Sequence, residues 1–166
     1  ADPRYQNLTG TLAEWLDNRA WREGLDDKRR ARLAQPAMDF ATSLLSRDHR
    51  RVAKRGEIFA ELSTTERHAL RIRIKELRYA LDFFAGLYST PVVKPYLGAL
   101  ARLQDSLGVM NDIAVARRLL DEARLQTISA ARQVIEGWYG CRLDIQEHAF
   151  PALWQAFIAC EQPWKD

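Results

Sequence analysis

Apolar positions along this chain recur at intervals of three and four, and no alternating run is long enough to suggest a strand. Leu8, Leu12, Trp15 and Leu16 form one stripe and predict a first helix over about residues 6–22. Residues 23–35 are charged and contain Gly24, a connection with room for a short helix. Pro36 suits the first turn of a second helix that runs to about residue 55 and ends near Gly56. Ser63 with Glu66 three positions later is a capping box. It opens a third helix reaching about residue 86, with Leu70, Ile74, Leu77, Leu81 and Phe84 on its apolar face. Ser89 to Pro95 reads as a break containing two prolines. A fourth helix is predicted over about 94–107, stopping at Gly108, and Asn111 or Asp112 caps a fifth that reaches about residue 125. The last region, about 128–160, reads as helix interrupted at Pro151. Short connections between amphipathic helices predict an all-α antiparallel bundle of about five to six helices.

The polar positions of the third helix carry a second pattern. His68, Arg71, Lys75 and Arg78 fall at i, i+3, i+7 and i+10, with Tyr79 beside the last. At 100° per residue they share an arc of about 80°, opposite the apolar face. Like charges stacked on one face repel, so a helix gains nothing from this order unless something polyanionic lies along it. On the second helix Phe40, Leu44, Leu45 and Val52 define the apolar side, which Ile58 and Phe59 continue. Arg51 and Arg55 fall inside that arc, and Arg47 and Lys54 sit at its edge. Arginines aimed at a packed side must be paired or line a wet cavity. The acids of this helix, Asp39 and Asp48, are too few to pair them all, so a second cationic row is expected to face the third helix.

Composition sharpens that picture. The chain has 166 residues, 47% hydrophobic and 28% charged, enough for one domain with a real core. Net charge is only +3. Residues 47–55 hold five basic and one acidic side chain, and residues 66–79 hold five basic and two acidic, so the remainder is net acidic. Two basic helix faces on an otherwise acidic surface point to an anionic partner. No run reaches the roughly 18 apolar residues of a membrane span, and no secretory signal is visible. Cys141 and Cys160 have neither metal nor redox spacing, and a reducing, cytoplasmic setting is the simple reading.

Several segments resemble one family. His68-Ala-Leu-Arg71-Ile-Arg73-Ile-Lys75-Glu-Leu-Arg78-Tyr79-Ala-Leu-Asp-Phe-Phe84 closely resembles the signature helix of CHAD domains, the conserved histidine α-helical domains. Leu103-Gln104-Asp-Ser-Leu107-Gly108-Val-Met-Asn111-Asp112 resembles that family's LQ-x-x-LG-x-x-ND segment. His49-Arg50-Arg51-Val-Ala-Lys54-Arg55-Gly56 resembles its basic helix ahead of the signature, and Gly137-Trp138 and Pro163-Trp164 its C-terminal helices. The resemblance implies a helical bundle that binds inorganic polyphosphate through a basic surface or channel. It also implies an attached or partner CYTH triphosphatase domain and association with polyphosphate granules. Such domains have two pseudo-symmetric halves, each with its own basic helix. One clear signature helix occurs here, without the RV-x-x-RR-LR type run of the N-terminal half. Residues 1–166 are therefore expected to form a single helical domain representing the later part of a CHAD domain. Oligomeric state is left open; a homodimer is one way to supply the other half.

A polymer of repeating anions suits cationic rows that step one helical turn at a time. On this reading His68, Arg71, Lys75 and Arg78 form the principal binding row, and Arg47, Arg51, Lys54 and Arg55 the opposing row. Tyr79 is either a packing residue or a donor to the anion. Gln104 and Asn111 are seven apart, and serve as a buried polar brace or touch the ligand. Asp112 reads as a helix cap, and Arg117 and Arg118 as a solvated face. The five tryptophans read mostly as core or lids and are not interleaved with the cations as a base-stacking platform requires. No His-x-x-x-His pair, phosphate loop or facing acidic pair suggests catalysis, so no catalytic residue, metal or cofactor is expected. A nucleic-acid-binding helical domain, a phosphohydrolase and an accessory module of a CYTH-type triphosphatase are the competing readings.

Overall fold

A computed structural model of the chain describes residues 2–122 and 129–165. The chain divides into two compact units, residues 1–40 and 41–166, and the division falls inside the third helix.

In the first unit, α1 (Pro3–Asp17) begins where Asp2 accepts a hydrogen bond from the Arg4 N–H and Pro3 supplies a preset φ. It stops well short of residue 22 because the chain turns at Arg19, whose φ of 52° is left-handed, into a single 3₁₀ turn over Ala20–Arg22. Gly24, at φ 68°, takes the conformation that disfavours side chains. α2 (Asp27–Ala34) then starts at Asp26, which accepts from the Arg29 N–H. No residue of α1 or α2 is buried. The predicted apolar stripe of Leu8, Leu12, Trp15 and Leu16 is exposed.

The second unit holds α3 (Ala37–Gly56, whose first four residues belong to the first unit), α4 (Thr64–Phe84), α5 (Thr90–Glu122) and α6 (Ser129–Ile158). Single 3₁₀ turns at Phe59–Glu61 and Ala85–Leu87 flank α4. The capping box that opens α4 is present: Ser63 Oγ accepts from the Glu66 N–H, and Glu66 accepts from the Ser63 N–H at 3.0 Å. The core stripe of α4 is as expected, with Leu70, Ile74, Leu77 and Leu81 fully buried; Phe84 is only half-buried. They pack with Leu45 and Val52 of α3, Leu100, Leu103 and Leu107 of α5, and Phe150 and Phe157 of α6. Each such side chain contributes about 1.5–3 kcal/mol by leaving water. On α3, Leu45 and Val52 are buried and Phe59 follows them inside, whereas Phe40 and Leu44 are half-buried and Ile58 is exposed.

The predicted break between a fourth and fifth helix is absent. One helix, α5, runs through both Pro95 and Gly108. Pro95 sits in the second turn, just past the first-turn N–H groups that have no partner, so it costs one intrahelical bond there, and the buried Val93 and Tyr96 on either side hold the helix across it. Gly108 is carried by its neighbours: Leu103, Leu107, Met110 and Ile113 are buried on both sides of it. Their packing outweighs the roughly 1 kcal/mol that a mid-helix glycine costs. Asp112 consequently caps nothing; it is exposed in mid-helix. Likewise α6 continues through Pro151, held by Phe150, Trp154 and Phe157, all buried. The expected helix limits near residues 125 and 128 lie outside the described residues. Trp154 and Trp164 are core, while Trp15 and Trp138 are exposed.

Candidate functional site

α4 carries cations on both flanks of its buried stripe, and the two flanks face different neighbours. One flank turns to α5. His68 Nδ1 lies 2.7 Å from Asn111 Oδ1, and the Arg71 guanidinium lies against Gly108, whose absent Cβ would stand 3.6 Å from Arg71 Nε. These two pairs run in opposite directions along the two helices, so α4 and α5 are antiparallel. Gln104, Gly108 and Asn111 share the α5 face opposite the ladder, because α5 does not stop at Gly108.

The electrostatics of this flank are unbalanced. Among the described residues none of Arg71, Lys75 and Arg78 has a carboxylate partner. All three are half-buried. Arg71 Nε is buried and finds no acceptor, and Gln104 Oε1 is buried and finds no donor. Such groups ordinarily have partners, and the accessible remainder of the half-buried Arg71 side chain can offer further donors to an anionic oxygen. Lys75 Nζ and the Arg78 guanidinium lie 5.5 and 5.3 Å from the exposed ring of Tyr79. Tyr79 is therefore not core; its face steadies two cations. Asn111 is a brace for His68. Since Asn111 Oδ1 can only accept, His68 Nδ1 carries the proton of that bond, and Nε2 donates to an anion only when the ring is also protonated there.

The other flank turns to α3. Here Arg51, Lys54 and Arg55 face Arg73 across a cleft of about 480 Å³ floored by Ala69 and Leu70. Arg73 was hidden in the sequence by its place on the side of α4 away from the ladder. This second row is partly neutralised, three carboxylates meeting five cations. Asp48 takes Arg47 at 2.9 Å and Arg51 at 3.4 Å, Glu66 takes Arg55 at 3.5 Å, and Glu76 takes Arg73 at 3.1 Å. Hydrogen bonds from the Ser63 backbone and hydroxyl, with Arg55 nearby, hold Glu66 below the usual carboxylate range and keep it charged. Lys54 alone in this row has no acidic partner among the described residues.

The two rows do not meet in one groove as the sequence suggested. The core stripe of α4 separates them, because 100° per residue sends Arg71 and Arg73 to opposite sides of Leu70 and Ile74. Arg117 also departs from expectation: it is half-buried rather than solvated, in a further cleft at the start of α4. Among the described residues no three His, Cys, Asp or Glu side chains stand together as a metal site. No helix among them is long and apolar enough to cross a membrane.

A family model described as the CHAD domain matches residues 1–121. The chain is also similar to the crystal structure of the CHAD domain from the plant Ricinus communis, with 32% identity and a TM-score of 0.67. That likeness covers 98% of this chain and 53% of the plant chain, so the present chain spans about half the length of its structural relative. No curated protein matches the chain.

Proposed function

The chain belongs to the CHAD domain family, and from that premise we propose that it binds inorganic polyphosphate, chiefly along the α5-facing flank of α4. One observation carries the reading: Arg71, Lys75 and Arg78 are half-buried, lack carboxylate partners among the described residues, and include a guanidinium donor with no acceptor. Uncompensated cations spaced along one face of a helix match a linear anion with one charge per repeat. Protonated His68 extends the row by one position through Nε2–H, and the Tyr79 face orients its far end. The α3–α4 cleft is a second, weaker basic surface, since an incoming phosphate must compete there with Asp48, Glu66 and Glu76.

The module acts by binding, without a chemical step of its own. A CYTH triphosphatase domain, attached or separate, is its proposed partner, and the cytoplasm, including polyphosphate granules, its proposed setting. The aromatic side chain beside the row, Tyr79, is engaged by Lys75 and Arg78 over its ring, and one ring is not a stacking platform for successive bases, which favours polyphosphate over nucleic acid.

The test is a binding titration with long-chain polyphosphate, using wild type and the double variant Arg71→Ala, Lys75→Ala, repeated with RNA of matched charge as competitor. Affinity should fall in the variant and RNA should compete poorly. Unchanged affinity in the variant, or RNA winning, overturns the proposal.

A further inference from the structure

A third basic cleft opens where α4 begins, between α4, the C-terminal part of α5 and α6. Its volume is about 350 Å³. Thr64 and Arg67 of α4 and Arg117 and Arg118 of α5 line it, over an apolar floor that includes Met110 and Ile113. Arg67 is one turn before Arg71 on α4, yet it differs from the ladder residues in being pinned: it pairs with Glu147 of α6 and lies 4.7 Å over the Phe59 ring. Even so, its Nε is buried with no acceptor. Arg117 is half-buried, has no acidic partner among the described residues, and lies against the α6 backbone, with Nη2 3.7 Å from where a Gly140 Cβ would be. Among the described residues Arg118 is held only by the exposed Glu122 at 3.7 Å. Asp121, the one acid lining the cleft among the described residues, is engaged by Arg132, which is itself bridged to Glu136 at 2.7 Å.

We propose that this cleft is a separate binding site for a single doubly charged phosphate group, either free orthophosphate or the end group of a phosphate chain, held by Arg117 with Arg118, Arg67 Nε and the Thr64 hydroxyl. Three arginines and a threonine lining one small space from two helices differ in kind from a row spaced along one helix. A terminal or free phosphate has three or more unshared oxygens and a charge of about −1.5 to −2 near neutral pH, whereas an internal phosphate of a chain has two such oxygens and one charge. Forked donors approaching from α4 and α5 match the first and exceed the needs of the second. The inference does not rest on the ladder: the cleft uses none of His68, Arg71, Lys75 or Arg78.

Calorimetric titrations with orthophosphate, tripolyphosphate and an end-blocked long polyphosphate test it, using the intact chain and the variants Arg117→Gln, Arg118→Gln and Arg142→Gln. Arg142 lies outside the cleft, over Trp138. Saturable binding of orthophosphate or tripolyphosphate should weaken about tenfold or more in Arg117→Gln and measurably in Arg118→Gln, and stay unchanged in Arg142→Gln. Loss for orthophosphate identifies free phosphate as the occupant. Loss for tripolyphosphate alone, with the end-blocked polymer unaffected, identifies a chain end. Arg118→Gln, at an exposed position, serves if Arg117→Gln melts early. No saturable binding by wild type, or wild-type affinity in both arginine variants, overturns the proposal. Failure of the α4 row in the Arg71→Ala, Lys75→Ala variant leaves these readouts untouched, so the two sites stand or fall separately.

Discussion

His68 of α4 donates from Nδ1 to Asn111 Oδ1 of α5 at 2.7 Å, tying the basic helix to its neighbour. The bond fixes the imidazole tautomer and directs Nε2 outward. It is exposed, so its contribution to stability is modest, about 0.5–1 kcal/mol. A double-mutant cycle with His68→Ala and Asn111→Ala, read by urea denaturation, should show coupling of that size. Strict additivity would mean that the two side chains are not joined in solution. Asn111→Ala should also weaken polyphosphate binding without removing a charge, because it releases the imidazole that the row relies on.

The two flanks of α4 should respond differently to neutralisation. Arg71→Ala with Lys75→Ala removes two cations that have no acidic partner among the described residues, so the slope of log affinity against log salt should drop by about 1.4–1.8, by analogy with counterion release from nucleic acids. Arg51→Ala with Arg55→Ala removes two cations already matched to Asp48 and Glu66. That pair of substitutions should leave the slope nearly unchanged. Equal losses from both pairs would show that the ion pairs of the α3 row open freely, contrary to the assignment of the stronger surface to the α5 side.

Which of these relationships could be read from the chain depended on the range of the interactions. The α4 stripe and its capping box are local: Leu70, Ile74, Leu77 and Leu81 follow from helical spacing, and Ser63 and Glu66 need only each other. The ladder was legible for the same reason. Misreadings arose where distant packing overruled a local signal. Gly108 and Pro95 look like stops, but Val93 and Tyr96 around Pro95, and Leu103, Leu107 and Met110 around Gly108, anchor α5 in the shared core. The partners of the α3 row were hidden too, because Glu66 reaches Arg55 from eleven residues away, and so the sequence alone overstated that row's free charge. Arg117 looked solvated since nothing local announces that α6 lies across it.

Two glycines should behave in opposite ways. Gly56 is buried at the end of α3, and a Cβ there would fall within the Trp154 indole, a rigid ring stacked on Phe150. Gly56→Ala should destabilise by about 1–3 kcal/mol or more through overpacking. At Gly108 a Cβ would meet Arg71 only at ordinary contact distance, 3.6 Å from Nε. Gly108→Ala should therefore be tolerated or should stabilise α5 by up to about 1 kcal/mol. Chemical denaturation of both variants separates the cases; a stable Gly56→Ala protein would mean that Trp154 can move aside.

His49 gives the fold its own pH dependence. It sits among Tyr96, Phe157 and Trp164, with Nδ1 2.6 Å from Tyr96 Oη and Nε2 3.1 Å from the Gln162 amide nitrogen. Burial lowers its pKa from the ordinary histidine value, and the Lys165 charge lowers it further. The sign follows from linkage. Below about 6.5 the unfolded chain takes up a proton that the folded protein refuses, so stability falls as pH drops through the ordinary value and toward the depressed one, and levels off above it. His148 has the opposite tendency, since a hydrogen bond to the Asp144 backbone and the Asp144 carboxylate raise its pKa, but it is fully exposed and a weak counterweight. Melting temperatures at pH 7.5 and 5.5, a window above the ordinary carboxylate range, should show wild type losing more stability on acidification than His49→Gln. Equal losses in the two proteins would show that this imidazole accepts a proton without disturbing the aromatic cluster around it.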